Sequence, residues 1–284
     1  MTTITGMEKV RYIASMEDPL NQANPSWSDD EYDEVWNKTI GEHFNNVDYR
    51  DYAWEPRGLI SSSFGSFQNC NNLTTINFKT MTDLVKIGHS AFNNCGKLLN
   101  MSGNVSYVYK QYNASNNTST EITGRTANTQ NVLDLSDCSK LRSINKDAFA
   151  NCGTIKYLHL PDNRNGASES TLHIGFDPEA PFNDNSKGAI ISNTKATRIL
   201  VGETALYAHH DFGKNNNAQN HYAANCFGTV GSGTNDNKVY YYCGNTDDIP
   251  SEDATSIKYW TKNGSGEYIL FNNANDARTY FDNQ

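Results

Sequence analysis

The side chains best suited to chemistry are three imidazoles and a carboxylate close together in the chain, His209, His210, Asp211 and His221. Imidazole nitrogens and carboxylate oxygens are ordinary ligands for zinc and related ions. The spacing argues against a site, because adjacent histidines project to different sides of a helix or a strand. No His-Glu-x-x-His anchors them. His89 and His159 lie inside the repeated segments described below and are expected at exposed or partly exposed positions. The carboxylates cluster as Asp29-Asp30-Glu31, Asp247-Asp248 and Glu252-Asp253. General acid–base work needs two carboxyls held at a fixed separation in a cleft, whereas these read as solvated residues of turns and helix starts. A Gly-x-Ser-x-Gly elbow, a phosphate loop and a dinucleotide fingerprint are all missing. No catalytic, cofactor-binding or metal-binding residue is assigned, and no enzyme is expected.

Six cysteines, Cys70, Cys95, Cys138, Cys152, Cys226 and Cys243, are the remaining reactive groups. An even number admits disulfides. Cys70, Cys95 and Cys152 recur at one position of a repeat, and Asn185 takes that position in a later copy with no partner cysteine lost alongside it. Buried free thiols are therefore expected. Cys138 and Cys243 lie off the repeat positions, and no Cys-x-x-Cys pair offers the closed zinc spacing.

The elements that carry these residues are repeated. Phe78, Leu84, Ile87, Ala91, Phe92, Cys95 and Leu98 match Leu135, Leu141, Ile144, Ala148, Phe149, Cys152 and Ile155 at one constant offset. Leu73 and Ile76 open the first of these copies, Leu133 opens the second, and Leu158 and Leu160 start the next. Phe67 and Cys70 end an earlier one, while 172–185, 199–202 and 224–226 hold weaker echoes. Ile76-Asn-Phe78 and Leu158-His-Leu160 alternate, so each puts two apolar side chains on one face of a short strand. Ala-Phe-x-x-Cys-x-x-Leu has an apolar spacing of three, which suits a tight 3₁₀-like turn. No single unit can bury its own apolar face, and stacking completes the core.

Ile87-Gly88-His-Ser-Ala91-Phe92-Asn-Asn-Cys95-Gly-Lys-Leu98 resembles the BspA-type leucine-rich repeat, and Ser143 to Cys152 follows it with Asn145 in place of the glycine. The resemblance spans roughly residues 60–230. It implies an α+β, mostly β solenoid: an irregular leucine-rich-repeat stack. It also implies a cell-surface or secreted protein with an adhesin-like role, and it brings no catalytic residues.

Residues 1–60 are expected to be an N-terminal cap. Ser28 to Glu31 form a capping box, and Tyr32, Val35, Trp36, Ile40 and Phe44 fall at helical spacing over 29–44. The solenoid is expected over 61–230, interrupted at 100–131 by an Asn/Ser/Thr-rich insertion. That insertion is either a polar loop or a hairpin leaving the stack, with Val105–Tyr109 as a strand. Residues 231–284 read as a C-terminal cap or degenerate repeats, with Lys238-Val-Tyr240 and Glu267 to Phe271 as closing strands.

The chain has 284 residues and a net charge of −9. That acidity disfavours nucleic acid, whose phosphates repel it. No apolar run is long enough to span a membrane. Met1–Gly6 lacks the basic start and apolar run of a secretory signal, so either the protein stays inside or the chain is a mature fragment. The expected partner is a protein, with a glycan as the alternative because sixteen tyrosines and four tryptophans exceed what the repeats consume. The chain is expected to be a monomer. Asn37, Asn72, Asn104 and Asn113 head N-glycosylation patterns.

Overall fold

A computed structural model describes residues 3–4, 7, 9–10, 12–13, 65–103, 105–122, 131–141, 143–161, 173–176, 190–192, 194, 196, 198–202, 227, 238–249 and 257–284. The expected helix over 29–44, the group His209, His210, Asp211 and His221, and Cys226 all lie outside the described residues. The described chain is mostly strand, with one α-helix.

Each repeat contributes two short strands and a turn. One set of strands is β1 (Thr3–Ile4), β3 (Thr75–Ile76), β7 (Val132–Asp134), β9 (Tyr157–His159) and β11 (Arg198–Val201). The other is β2 (Tyr12–Ile13), β4 (Lys86–Ile87), β8 (Ser143–Asn145) and β10 (His173–Phe176), paired in parallel in the order β10-β8-β4-β2. Register is uniform, with Ile13, Ile87 and Ile144 side by side. Two-residue spacing keeps these isoleucines on one buried face.

The turns form the third side. Ala91, Asn93, Cys95 and Leu98 each donate a backbone N–H three residues back, to Gly88, Ser90, Phe92 and Cys95, the 3₁₀ pattern that the spacing predicts. Their remaining amides tie one turn to the next: Phe67 to Ala91 O, Phe92 to Ala148 O, Phe149 to Ile190 O. Phe67, Phe92 and Phe149 consequently stack ring on ring, at 5.1 Å in both steps. Every apolar position singled out from the repeat pattern between Leu73 and Leu160 is no more than 2% exposed. Asn69, Asn94 and Asn151, each just before a repeat cysteine, have φ near +60°. Asparagine tolerates that left-handed region better than most residues, which accounts for its recurrence there.

Two departures from the sequence expectations concern connections. Residues 3–13 pair as a repeat: Met7, Val10 and Ile13 occupy the places of Met81, Leu84 and Ile87, and Val10 N donates to Met7 O as Leu84 N does to Met81 O. The insertion also differs from both readings of it. Its strand is β5 (Tyr109–Asn113), not Val105–Tyr109, and with β6 (Thr118–Glu121) it forms a hairpin that joins a sheet instead of leaving it. That sheet also contains β12 (Lys238–Tyr242), β13 (Lys258–Lys262) and β14 (Tyr268–Phe271), in the order β6-β5-β14-β13-β12-β11-β9-β7. β14 pairs antiparallel with β13 and parallel with β5. The sheet curls strongly, because Tyr109 on β5 stacks on Tyr157 of β9, 4.2 Å away and on a strand well removed in the sheet order. α1 (Ala274–Asp282) follows β14, capped by Asn273, whose side chain accepts from Asp276 N–H. It packs Ala277 and Tyr280 against the core.

Candidate functional site

The inner face of the curl gathers the reactive side chains. In the strand order, Asp134 of β7 lies beside His159 of β9. Both sit between buried leucines, at the alternate position that points away from the repeat core. The insertion covers them. Tyr107 donates its hydroxyl to Asp134 Oδ2 at 2.5 Å, and the Tyr109 hydroxyl lies 2.7 Å from His159 Nε2. Lys79 reaches the same carboxylate at 3.2 Å, and the Ser136 backbone N–H donates to Asp134 Oδ1 at 3.0 Å. His159 Nδ1 is 3.7 Å from Asp134 Oδ1, outside hydrogen-bond reach. Asp134 and His159 are 0% and 2% exposed, and His89 is 5% exposed, which corrects the expectation that both histidines are open to water.

The electrostatics follow from this enclosure. Burial alone would raise the Asp134 carboxyl, but His159, Lys79 and the Ser136 hydroxyl outweigh it and hold the group far below the usual carboxylate range. Burial, and then the charge of Asp134, raise the Tyr107 hydroxyl, while burial and the neighbouring Tyr268 raise that of Tyr109. Carboxylate, imidazole and hydroxyl lie in the sequence of an acid–base relay. Tyr107 and Tyr109 are buried beneath a packed sheet, away from the solvent access that such a relay needs. The arrangement gives Asp134, Tyr107 and Tyr109 buried polar partners, leaves His159 Nδ1 without a hydrogen-bond partner, and fastens the insertion to the repeats. Sequence reasoning missed this cluster. The available signal was Leu133-Asp134-Leu135 beside Leu158-His159-Leu160, polar residues at one repeat position.

The aromatic residues are absorbed in the same way. Tyr107, Tyr109, Tyr157, Tyr240, Trp260, Tyr268 and Leu270 form one cluster, and Trp260 donates its indole N–H to Val201 O at 2.9 Å. The described surface is polar. Along the turns, Asn94 donates to the Asn69 side chain at 2.8 Å, Asn151 to Asn93 at 2.9 Å and Lys97 to Asn72 at 3.3 Å.

The thiols sit at the core side of those turns. Cys95 and Cys152 donate to the carbonyls of Phe67 and Phe92, each at 3.1 Å. Cys138 does likewise to Phe78 at 3.4 Å. It occupies the repeat position of Met81, so it is not off the pattern as the sequence suggested. Cys243 is buried beside Trp260 O. All five described cysteines are free, and Cys70 alone among them is half-buried. Burial pushes Cys95 up to about 11 and Cys152 to about 12, and it raises Cys138 and Cys243 as well. These four thiols are expected to resist iodoacetamide at pH 8 in the native chain and to react fully in urea, because the thiolate is the nucleophile. Peptide mass spectrometry before and after unfolding checks this.

Among the described residues no group of three side chains has metal-ligating geometry, and no helix is long and apolar enough to cross a membrane. The repeated turn-and-strand unit agrees with an independent comparison: residues 44–173 match the model of the BspA type leucine rich repeat region in 6 copies. The match begins before and ends well short of the 60–230 span expected from sequence. The paired strands of residues 3–13 and the strands from β11 onward lie outside the matched region. No curated protein and no solved structure matches the chain. Leucine-rich repeats generally mediate protein binding and are typically non-catalytic, and BspA-type proteins are commonly exposed at the surface or secreted.

Proposed function

We propose that this chain is a non-catalytic, monomeric protein-binding module, an irregular solenoid acting as an adhesin-like protein at the cell surface or after secretion. The observation that carries this reading is a division among the described residues. The buried carboxylate, imidazole and phenols of Asp134, His159, Tyr107 and Tyr109 lie under the insertion, whereas a repeating row of amides and lysine lies along the exposed turns. Regularly spaced polar groups on a stiff scaffold suit recognition over an extended surface, with affinity set by the contacts that exclude water. A saccharide platform would need aromatic rings open to solvent, and the described tyrosines of the curl and Trp260 face one another instead.

The test is a binding screen with the purified chain immobilised, using extracellular matrix proteins in one arm and a glycan array in the other. Saturable binding to a protein, reduced by Asn72→Ala combined with Lys97→Ala at unchanged melting temperature, is the expected outcome. Binding confined to glycans, or a peptidase or glycosidase activity in the same preparation, would overturn the proposal.

A further inference from the structure

The loop between β13 and β14 sets one carboxamide under unusual constraint. Asn263 is followed by Gly264, Ser265 and Gly266, all exposed. Its backbone closes the loop, donating N–H to Glu267 O at 3.1 Å and accepting from Gly266 N–H at 2.9 Å. Its side chain bends forward over the same turn. The carboxamide oxygen accepts backbone N–H groups from Ser265 at 3.1 Å and from Glu267 at 2.9 Å, and the nitrogen donates to Glu267 Oε2 at 2.7 Å. Lys110 of β5 donates to that same carboxylate oxygen at 2.6 Å. Asn263 is therefore part of the tie between the insertion and β14.

This geometry favours attack on the Asn263 carboxamide by the nitrogen that follows it. Gly264 has no side chain to shield the carbonyl carbon, and its N–H donates to no described group. The Ser265 and Glu267 N–H groups aim at the oxygen that turns negative when a nitrogen adds to that carbon, as the donors of an oxyanion hole do. We propose that Asn263 is a self-modifying site, whose carboxamide is converted to a carboxylate within the folded loop. The Gly264 nitrogen gives its proton to hydroxide and bonds to Asn263 Cγ. The bond from Cγ to the side-chain nitrogen breaks, and that nitrogen leaves as ammonia with a proton from water. Water then opens the cyclic imide at either carbonyl, giving aspartate or isoaspartate. Nothing is oxidised or reduced, and the reaction needs no binding partner. The loop holds the reacting groups together in advance, which a free peptide must achieve by chance. The product loses the N–H that met Glu267 and places a second carboxylate beside it, where like charges oppose one another. Both then compete for Lys110, so the tie to β5 loosens as the molecule ages.

Incubation of the full chain at pH 8 in heavy-oxygen water, native and in guanidinium chloride, labels each conversion as it happens. Fragmentation of tryptic peptide 263–278 locates the label. The expected result is labelled aspartate and isoaspartate at Asn263, formed at least as fast in the native chain as in the unfolded one. Conversion that is slower in the native chain, or confined to the unfolded one, would overturn the proposal. Gly264→Ala tests the nucleophile, because a Cβ at that position meets nothing within 4 Å and leaves the loop intact. Conversion should be lost in it, and an unchanged rate would mean that the Gly264 nitrogen is not the attacking group. Asn263→Asp supplies the product directly. Amide exchange in β5 and β14 should rise in that variant through local opening, with β8 unaffected, and unchanged exchange would remove the loosening from the proposal.

Discussion

Phe92→Ala is expected to destabilise the chain by about 3–5 kcal/mol, the range for deleting a buried phenylalanine whose cavity cannot collapse. Collapse is blocked here from several directions. Phe149 stacks on Phe92 at 5.1 Å with planes 4° apart, Phe67 stacks on the other face, and Phe78 meets its edge at 5.6 Å. The backbone on either side is tied between turns, by Phe92 N to Ala148 O and Asn94 N to Ala150 O, so neighbouring layers cannot close in without breaking those bonds. Aromatic pairs also contribute about 0.5–1.5 kcal/mol each beyond their area. Urea unfolding followed by tryptophan fluorescence measures the effect, and Phe92→Leu, which keeps most of the volume, should lose clearly less. A change near zero for Phe92→Ala would mean that the ring column does not hold the layers together.

The second large effect is expected at Asp134. Removing one member of a buried charged network leaves the others unpaired and costs about 3–5 kcal/mol. In Asp134→Ala the Tyr107 hydroxyl would lose its acceptor, and Lys79 would keep Asp137, at 2.7 Å, as its remaining ion-pair partner. The pH dependence has a definite sign. The folded carboxyl is held below its ordinary value of 3.8, so its contribution is fully present above that pH and disappears as pH falls through the folded value. The stability difference between native chain and variant should therefore be flat from pH 5 to 7 and shrink below about pH 4. A difference that is small at pH 7, or that grows on acidification, would show that the carboxylate is not held by this network. Amide exchange should also rise first in the β5 strand, which the network fastens down.

The repeat core was legible because its chemistry is local. Phe92, Cys95 and Leu98, like Phe149, Cys152 and Ile155, repeat at a spacing that only a buried turn satisfies, and adjacent leucines around Asp134 and His159 announce strands. Position along the stack was harder to read. Met7, Val10 and Ile13 are one more copy, but the chain between them and their turn at Gly65 to Cys70 separates the two halves, and no Ala-Phe-x-x-Cys follows Ile13. His159 was misplaced for another reason. Alternation correctly turned it away from the leucines, yet the covering comes from a hairpin whose partner strand lies more than a hundred residues away, a pairing that local pattern does not encode. The α1 helix was overlooked although Asn273, Asp276, Ala277 and Tyr280 mark its cap and inner face. Its short apolar pattern was read together with the closing strands.

The bond from Lys110 to Glu267 spans 157 positions, and Gln111 to Leu270 spans 159. Vectorial synthesis therefore offers the hairpin of residues 109–121 no sheet partner while the following repeats are being made. It lacks that sheet partner until 268–271 have been made, although Asp134, Tyr157 and His159 are available earlier to Tyr107 and Tyr109. Long-range parallel pairing of this kind is slow and open to aggregation, so completion of the curled sheet is expected to be a late step of folding.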